Sequence, residues 1–346
     1  YFDEQIYQMV SGYKRKIMIP QEWEGKTLLL TIDGAAHDSE VYWNGRSIGT
    51  HHCGYTAFTI DITGCANYGM ENEIVIKVDS RENLNIPPFG FVIDYMTYGG
   101  IYRDVYLDVV NATYMSDVFI YSDVTDVTKK SVVTTSDITW NKKIENGSVR
   151  QYIRKKGEEE YTLLIESRIT DKTEAKLHVH PANVQLWDIE NPVLYEIKTQ
   201  LLSGNQVLDE KVTTTGFRKA EFKKEGFYLN DRKVLIRGLN RHQAYPYVGY
   251  AMPKSMQQLD ADILKYELGL NAVRTSHYPQ SHDFISRCDE IGLLVFTEFP
   301  GWQHIGDEEW KNQACENVKD MVKQYRNALD RFTLELPAGA KDTAEE

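Results

Sequence analysis

The stretch NAVRTSHYPQSHDFISRCDEIGLLVFTEF, Asn271 to Phe299, decides the fold of the C-terminal third. NAVR and LLVFTEF read as short apolar strands, and Asp283 to Glu290 between them as a helix stopped near Gly292. A strand, a helix and a second strand in so few residues form a parallel crossover unit. The pattern continues on both sides. VLIRGLN is an apolar strand candidate, and a helix is expected from Ser255 to Leu268. Ser255 and Gln258 could form a capping box there, and Met256, Leu259, Ile263 and Tyr266 keep helical spacing. Downstream, Ala314, Val318, Met321, Val322, Tyr325 and Leu329 mark one face of another helix. The order β-α-β-α-β-α opens a parallel α/β arrangement.

Upstream the texture is all β. Residues 1–110 read as short strands, with Asp33-Gly34 and Asn44-Gly45 as turn signals and FTIDIT and NEIVIKVD alternating apolar and polar residues. A jelly-roll β-sandwich is expected. Residues 111–219 continue the pattern, broken by a polar insertion around TTSDITWNKKIENGSVRQYIRKKGEEE, and an immunoglobulin-like β-sandwich is the simplest assignment. Residues 220–346 then form the α/β part. The expected fold class is therefore multidomain β plus α/β.

A chain of 346 residues exceeds what one ordinary core supports, which agrees with three domains. Hydrophobic content of 42% and charged content of 26% are those of a soluble globular protein. The net charge of −12, without clustered Lys and Arg, argues against nucleic acid and fits a neutral small-molecule partner better than an anionic one. No run approaches the ~18 apolar residues of a membrane span. The start lacks both Met and a signal-peptide pattern, so it reads as cut, with a cytoplasmic location and a homo-oligomer as expectations. Cys53, Cys65, Cys288 and Cys315 are scattered and read as free thiols, a bridge between Cys53 and Cys65 being the weaker alternative. His51 and His52, adjacent on a strand, point to opposite faces and read as a surface pair rather than a metal site.

In a (β/α)8 barrel the active site forms at the C-terminal ends of the strands. Here the three strands end in Asn240-Arg241-His242, in Arg274 to His277, and in Thr297-Glu298-Phe299. Alone, Arg274 could simply pair with Glu298 and His277 could cap a helix; three such ends together point to a site.

NAVRTSHYPQSHDFISRCDEIGLLVF resembles the signature of glycoside hydrolase family 2, the β-galactosidases, β-glucuronidases and β-mannosidases. VYWNGRSIGTHHCGYTAFTIDIT and GGIYRDVYL resemble the family's sugar-binding jelly roll, and LIRGLNRH its first barrel strand. The resemblance runs to about Asn327 and implies a jelly roll, an immunoglobulin-like sandwich and the first part of a TIM barrel. NIPPFGFVIDYMTYGGIYRDV and EFPGWQHIGDEEW are most similar to β-galactosidases. The resemblance implies that Asp94 reaches sugar hydroxyls from the first domain and that His242, Arg274 and His277 line the pocket; without it, Asp94 reads as an Asx-turn carboxylate. Glu298 is expected to pair with Arg274, whose planar fork Lys could not reproduce. Trp302 stands where a carboxylate metal ligand is expected and could instead offer a platform to a sugar ring. His304 falls at a family ligand position, but the change at Trp302 argues against a bound divalent cation, and no cofactor is expected.

Retaining glycosidases need two carboxyl groups about 5–5.5 Å apart. The family's acid/base Glu follows an Arg-Asn-His-Pro segment, from which YRNALDRF departs at Ala328; Glu335 is not at a matching position, and the nucleophile would lie further on. The expectation is a chain inactive by itself, with three crossover units leaving an exposed sheet edge and a disordered tail after Leu336. A β-glucuronidase or β-mannosidase is the same-class alternative. A non-catalytic carbohydrate-binding or structural module is the alternative from another class.

Overall fold

A computed structural model describes residues 8–89, 93, 95–301 and 303–328, together with the backbone of 331–335. In the first domain the strands Val10–Ile19, Met70–Asp79, Asp38–Trp43 and Arg46–His51 form one sheet. Phe58–Asp61, Thr27–Ile32 and Val105–Val110 form a facing one. Alternate residues Asn72, Ile74, Ile76 and Val78 point inward from Met70–Asp79, and Leu28, Leu30, Val41 and Trp43 complete the core. Asn44 and Gly45, with φ of 51° and 78°, make the expected two-residue hairpin turn. Asp33-Gly34 does not close a hairpin: Thr27–Ile32 pairs only with the distant strands on either side of it.

The second domain packs Met115–Asp126, Ser131–Trp140 and Glu174–Val179 against Thr162–Arg168, Gly147–Lys155, Tyr195–Ser203 and Gln206–Thr215. The expected polar insertion is here corrected, for it supplies Ser131–Trp140 and Gly147–Lys155, the inner strands of both sheets. Its inward positions are partly polar, which hides the alternation. Buried Gln151 donates to Ser136 Oγ and Thr199 Oγ1, each at 3.0 Å, so the polar groups are satisfied inside.

After a three-stranded meander (Ala220–Lys223, Gly226–Leu229, Arg232–Val234) the chain enters the barrel segment. It comprises β1 (Gly238–Asn240), α1 (Lys254–Asp262), β2 (Ala272–Thr275), α2 (His282–Ile291), β3 (Leu294–Glu298), α3 (Glu308–Tyr325) and β4 (Arg331–Glu335). The strands are parallel in the order β1-β2-β3-β4. Two expectations change. VLIRGLN is split between the meander and β1, and a fourth parallel strand follows α3, so β3 is flanked on both sides.

The first barrel helix also differs. It starts after Pro253 without a side-chain cap, so Ser255 and Gln258 form no capping box, and it loosens into a π-turn over Ile263–Glu267. Leu259 and Tyr266 are exposed, while Gln257 and Ala261 are buried. The cause is Arg241, 6% exposed, which draws the polar face of α1 inward through Gln257 Oε1 at 2.8 Å and Asp260 Oδ2 at 2.7 Å. Helix α2 behaves as read: Ser281 caps it by accepting from the Asp283 N–H, and Gly292 ends it at φ 76°.

The domains meet along α3. Trp310 Nε1 donates to the Phe89 carbonyl, Gln324 Oε1 accepts from the Ala57 N–H, and Asn327 bridges Ile120 N and Val118 O of the second domain.

Candidate functional site

On β2 the side chains alternate. Val273 joins Phe284, Ile285 and Cys288 in the core under the helices, which leaves Ala272 and Arg274 on the opposite face. On β3 the same rule puts Leu294, Phe296 and Glu298 together, with Val295 on the helix side. Arg274 and Glu298 thereby share one face near the C-terminal strand ends, where the chain turns out of the sheet.

Glu298 is the hub, 7% exposed. Arg274 Nη2 lies 2.9 Å from each of its carboxylate oxygens. The contact is thus made by one nitrogen spanning both oxygens, not by the expected two-nitrogen fork. His277 Nδ1 lies 3.1 and 3.2 Å from the same two oxygens. Ser281, not His277, caps the following helix. His242 stands 5.5 Å from His277, ring centre to ring centre, with its Nδ1 3.3 Å from the Tyr278 hydroxyl. Arg274, His277, Glu298 and His242 are therefore brought together. Asp94 and Trp302 lie outside the described residues. His304 rests edge-on against Trp310 at 5.6 Å, and no group of three His, Cys, Asp or Glu that could hold a metal occurs among the described residues.

Reading strand ends alone misses the first domain's contribution. Tyr55 stacks on Tyr278 at 4.5 Å and 11°, and Tyr95 lies within 5.6 Å of His242, His277 and Tyr278. Burial pushes the Tyr278 phenol above its ordinary value and Tyr102 up to about 12, so these hydroxyls keep their protons. Arg103 completes the seam. It donates to the Tyr55 carbonyl at 2.9 Å, to Gln243 Oε1 at 2.9 Å and to the Pro279 carbonyl at 3.0 Å. The one hint in the sequence is a charge inside the otherwise apolar GGIYRDVYL.

The other flagged residues have local roles. His52 pairs with Asp38 at 2.7 Å, whereas His51 stacks on Phe58 at 4.5 Å and is driven down to about 4 by burial, so the two are not a surface pair. All four cysteines are free thiols, and Cys65 donates to the Ile62 carbonyl instead of bridging to Cys53. No helix among the described residues is long and apolar enough to cross a membrane.

Three family models match in succession. They are the sugar binding domain of glycosyl hydrolases family 2 over residues 3–110, a further family 2 domain over 113–218, and the family 2 TIM barrel domain over 220–333. A β-galactosidase of Thermoanaerobacter pseudethanolicus is 45% identical over 94% of this chain and 44% of its own length. One of Thermoanaerobacterium thermosulfurigenes is 42% identical over 94% of this chain and 46% of its own. Among solved structures, a β-glucuronidase of Bacteroides uniformis superposes with a TM-score of 0.86 at 27% identity, covering 95% of this chain and 41% of that one. The chain thus spans under half the length of these relatives. With all three domain types present in order and relatives matching across nearly its full extent, the chain belongs to glycosyl hydrolases family 2.

Proposed function

We propose that this chain is the sugar-recognition portion of an enzyme that hydrolyses terminal β-D-galactosides with retention. What carries the reading is the convergence of Arg274, His277 and Glu298 at adjacent strand ends with His242 beside them. Imidazoles and a fixed carboxylate suit the hydroxyls of a neutral hexose. The names of the two β-galactosidase relatives support the same substrate. Asp94 and Trp302 keep the roles of hydroxyl acceptor and ring platform in this proposal, in which the domains divide at about 110 and 219.

Among the described side chains Glu298 is the one carboxylate at the barrel strand ends, and it is engaged by Arg274 and His277. It therefore serves as an organiser of the pocket. Binding a ground state does not speed the chemical step, and both general acid and nucleophile are needed for turnover. We accordingly expect the chain by itself to bind sugar weakly and to show no glycosidase turnover. A fluorogenic galactoside incubated overnight with the purified chain and with a Glu298→Gln variant tests this, and turnover abolished by the substitution would sink it.

A β-glucuronidase is the second reading, favoured by the solved structure of that activity on the same fold. It requires a cation for the substrate carboxylate. The strand-end cations among the described residues, Arg241 and Arg274, are already paired with Asp260 and Glu298. Comparing nitrophenyl galactoside, glucuronide and mannoside hydrolysis by the longer protein decides. Fastest turnover of the glucuronide would replace the galactoside reading.

A further inference from the structure

We infer that Tyr278 and Glu298 are positioning residues that hold the two site histidines in opposite tautomers, so that the pair offers one donor and one acceptor to a single hydroxyl. The inference rests on the sugar-binding reading above only for the identity of that hydroxyl.

The Tyr278 oxygen lies 3.3 Å from both the Gln243 backbone nitrogen and His242 Nδ1. A backbone N–H can only donate, so Gln243 occupies a lone pair of the phenol oxygen. The phenol retains its single proton and directs it to His242 Nδ1, which must then be the unprotonated nitrogen. The His242 proton sits on Nε2. Tyr250 does not compete, because its own hydroxyl donates to the Met96 carbonyl at 2.7 Å and Tyr278 stands nearer to the imidazole.

For His277 the logic reverses. Its Nδ1 faces both oxygens of Glu298, at 3.1 and 3.2 Å, and a carboxylate paired with a guanidinium accepts. Nδ1 therefore carries the proton, and a neutral His277 has its lone pair on Nε2. The two rings meet at 76° with centres 5.5 Å apart, close enough for one hydroxyl to span. A hydroxyl is the simple group that both accepts from one neighbour and donates to the other. An ether or a carboxylate satisfies only the His242 side. The stack of Tyr55 on Tyr278 fixes the phenol, so the first domain sets the polarity of a barrel residue without touching it.

The test uses the full chain labelled with 15N-histidine at a pH near 8, where long-range proton–nitrogen correlations separate protonated from unprotonated ring nitrogens. His242→Gln and His277→Gln variants assign the two rings by loss of signal. The expected result is an unprotonated Nδ1 in His242 and a protonated Nδ1 in His277. Tyr278→Phe should move His242 towards the other tautomer and leave His277 unchanged. The same tautomer in both rings of the unmodified chain, or a His242 unaffected by Tyr278→Phe in a folded variant, overturns the inference. Adding galactose should shift both Nε2 resonances together. Opposite tautomers with no response to sugar would remove the carbohydrate reading and leave the tautomer assignment standing.

Discussion

At the scale of single residues, the Arg274–Glu298 contact asks what a guanidinium does that an ammonium would not. Because Nη2 alone reaches both carboxylate oxygens, a Lys nitrogen could occupy nearly the same point. Arg274→Ala, by contrast, leaves a 7% exposed carboxylate facing only His277 and an N–H from the strand-end backbone. We expect Arg274→Ala to lower the stability of the chain by about 1–3 kcal/mol, and Arg274→Lys by less than half as much. Urea denaturation of the two variants checks this; equal losses would mean that the planar group matters after all. Arg274, His277 and Glu298 were legible because each sits at the end of a recognisable strand, where a buried charge needs a reason. Arg103 and Tyr55 were not, since their partners Gln243 and Tyr278 are remote in sequence and no local pattern announces them.

Among the elements, α2 is specified by its ends. A side chain at Gly292 would meet both a left-handed φ of 76° and the Ile189 carbonyl oxygen, 2.4 Å from an added Cβ. Gly292→Ala should therefore cost about 2–3 kcal/mol, beyond what conformation alone explains. Ser281→Ala, losing the N-cap bond, should cost about 1 kcal/mol. Thermal unfolding of both variants gives the order; a Gly292→Ala protein as stable as the parent would show that the neighbouring loop yields freely. The sequence revealed α2 and β3 because their signals are local. It misled over α1, whose apolar residues Leu259 and Tyr266 face outward. The buried face there was chosen by Arg241, a distant residue in need of partners. The strands of the second domain were hidden for a related reason: Ser136, Gln151 and Thr199 satisfy one another inside, so an alternation of apolar and polar residues was never there to be found.

For the whole molecule, acid should be the weak point. His37 is 1% exposed, rests between Tyr55 and Phe89, and is held down to about 4 by burial. The unfolded chain takes up a proton there near pH 6.5 and the folded chain does not. Stability is therefore fully present above about pH 6.5 and falls as the pH drops towards 4, by about 3 kcal/mol from this group. His37→Met should flatten that slope in urea titrations between pH 4.5 and 7.5; an unchanged slope would assign it to other groups. The three-domain order was readable because each domain has its own texture, but the seam between the first and third was not, being made of single contacts from far apart. That seam sets a rule for recombination. A chimaera that joins the first two domains of one relative to the barrel of another at about residue 219 would keep every hydrophobic core intact, yet it would separate Arg103 from Gln243 and Pro279, and Tyr55 from Tyr278. Such hybrids should fold and still lose the site, unless those five positions are exchanged as a block.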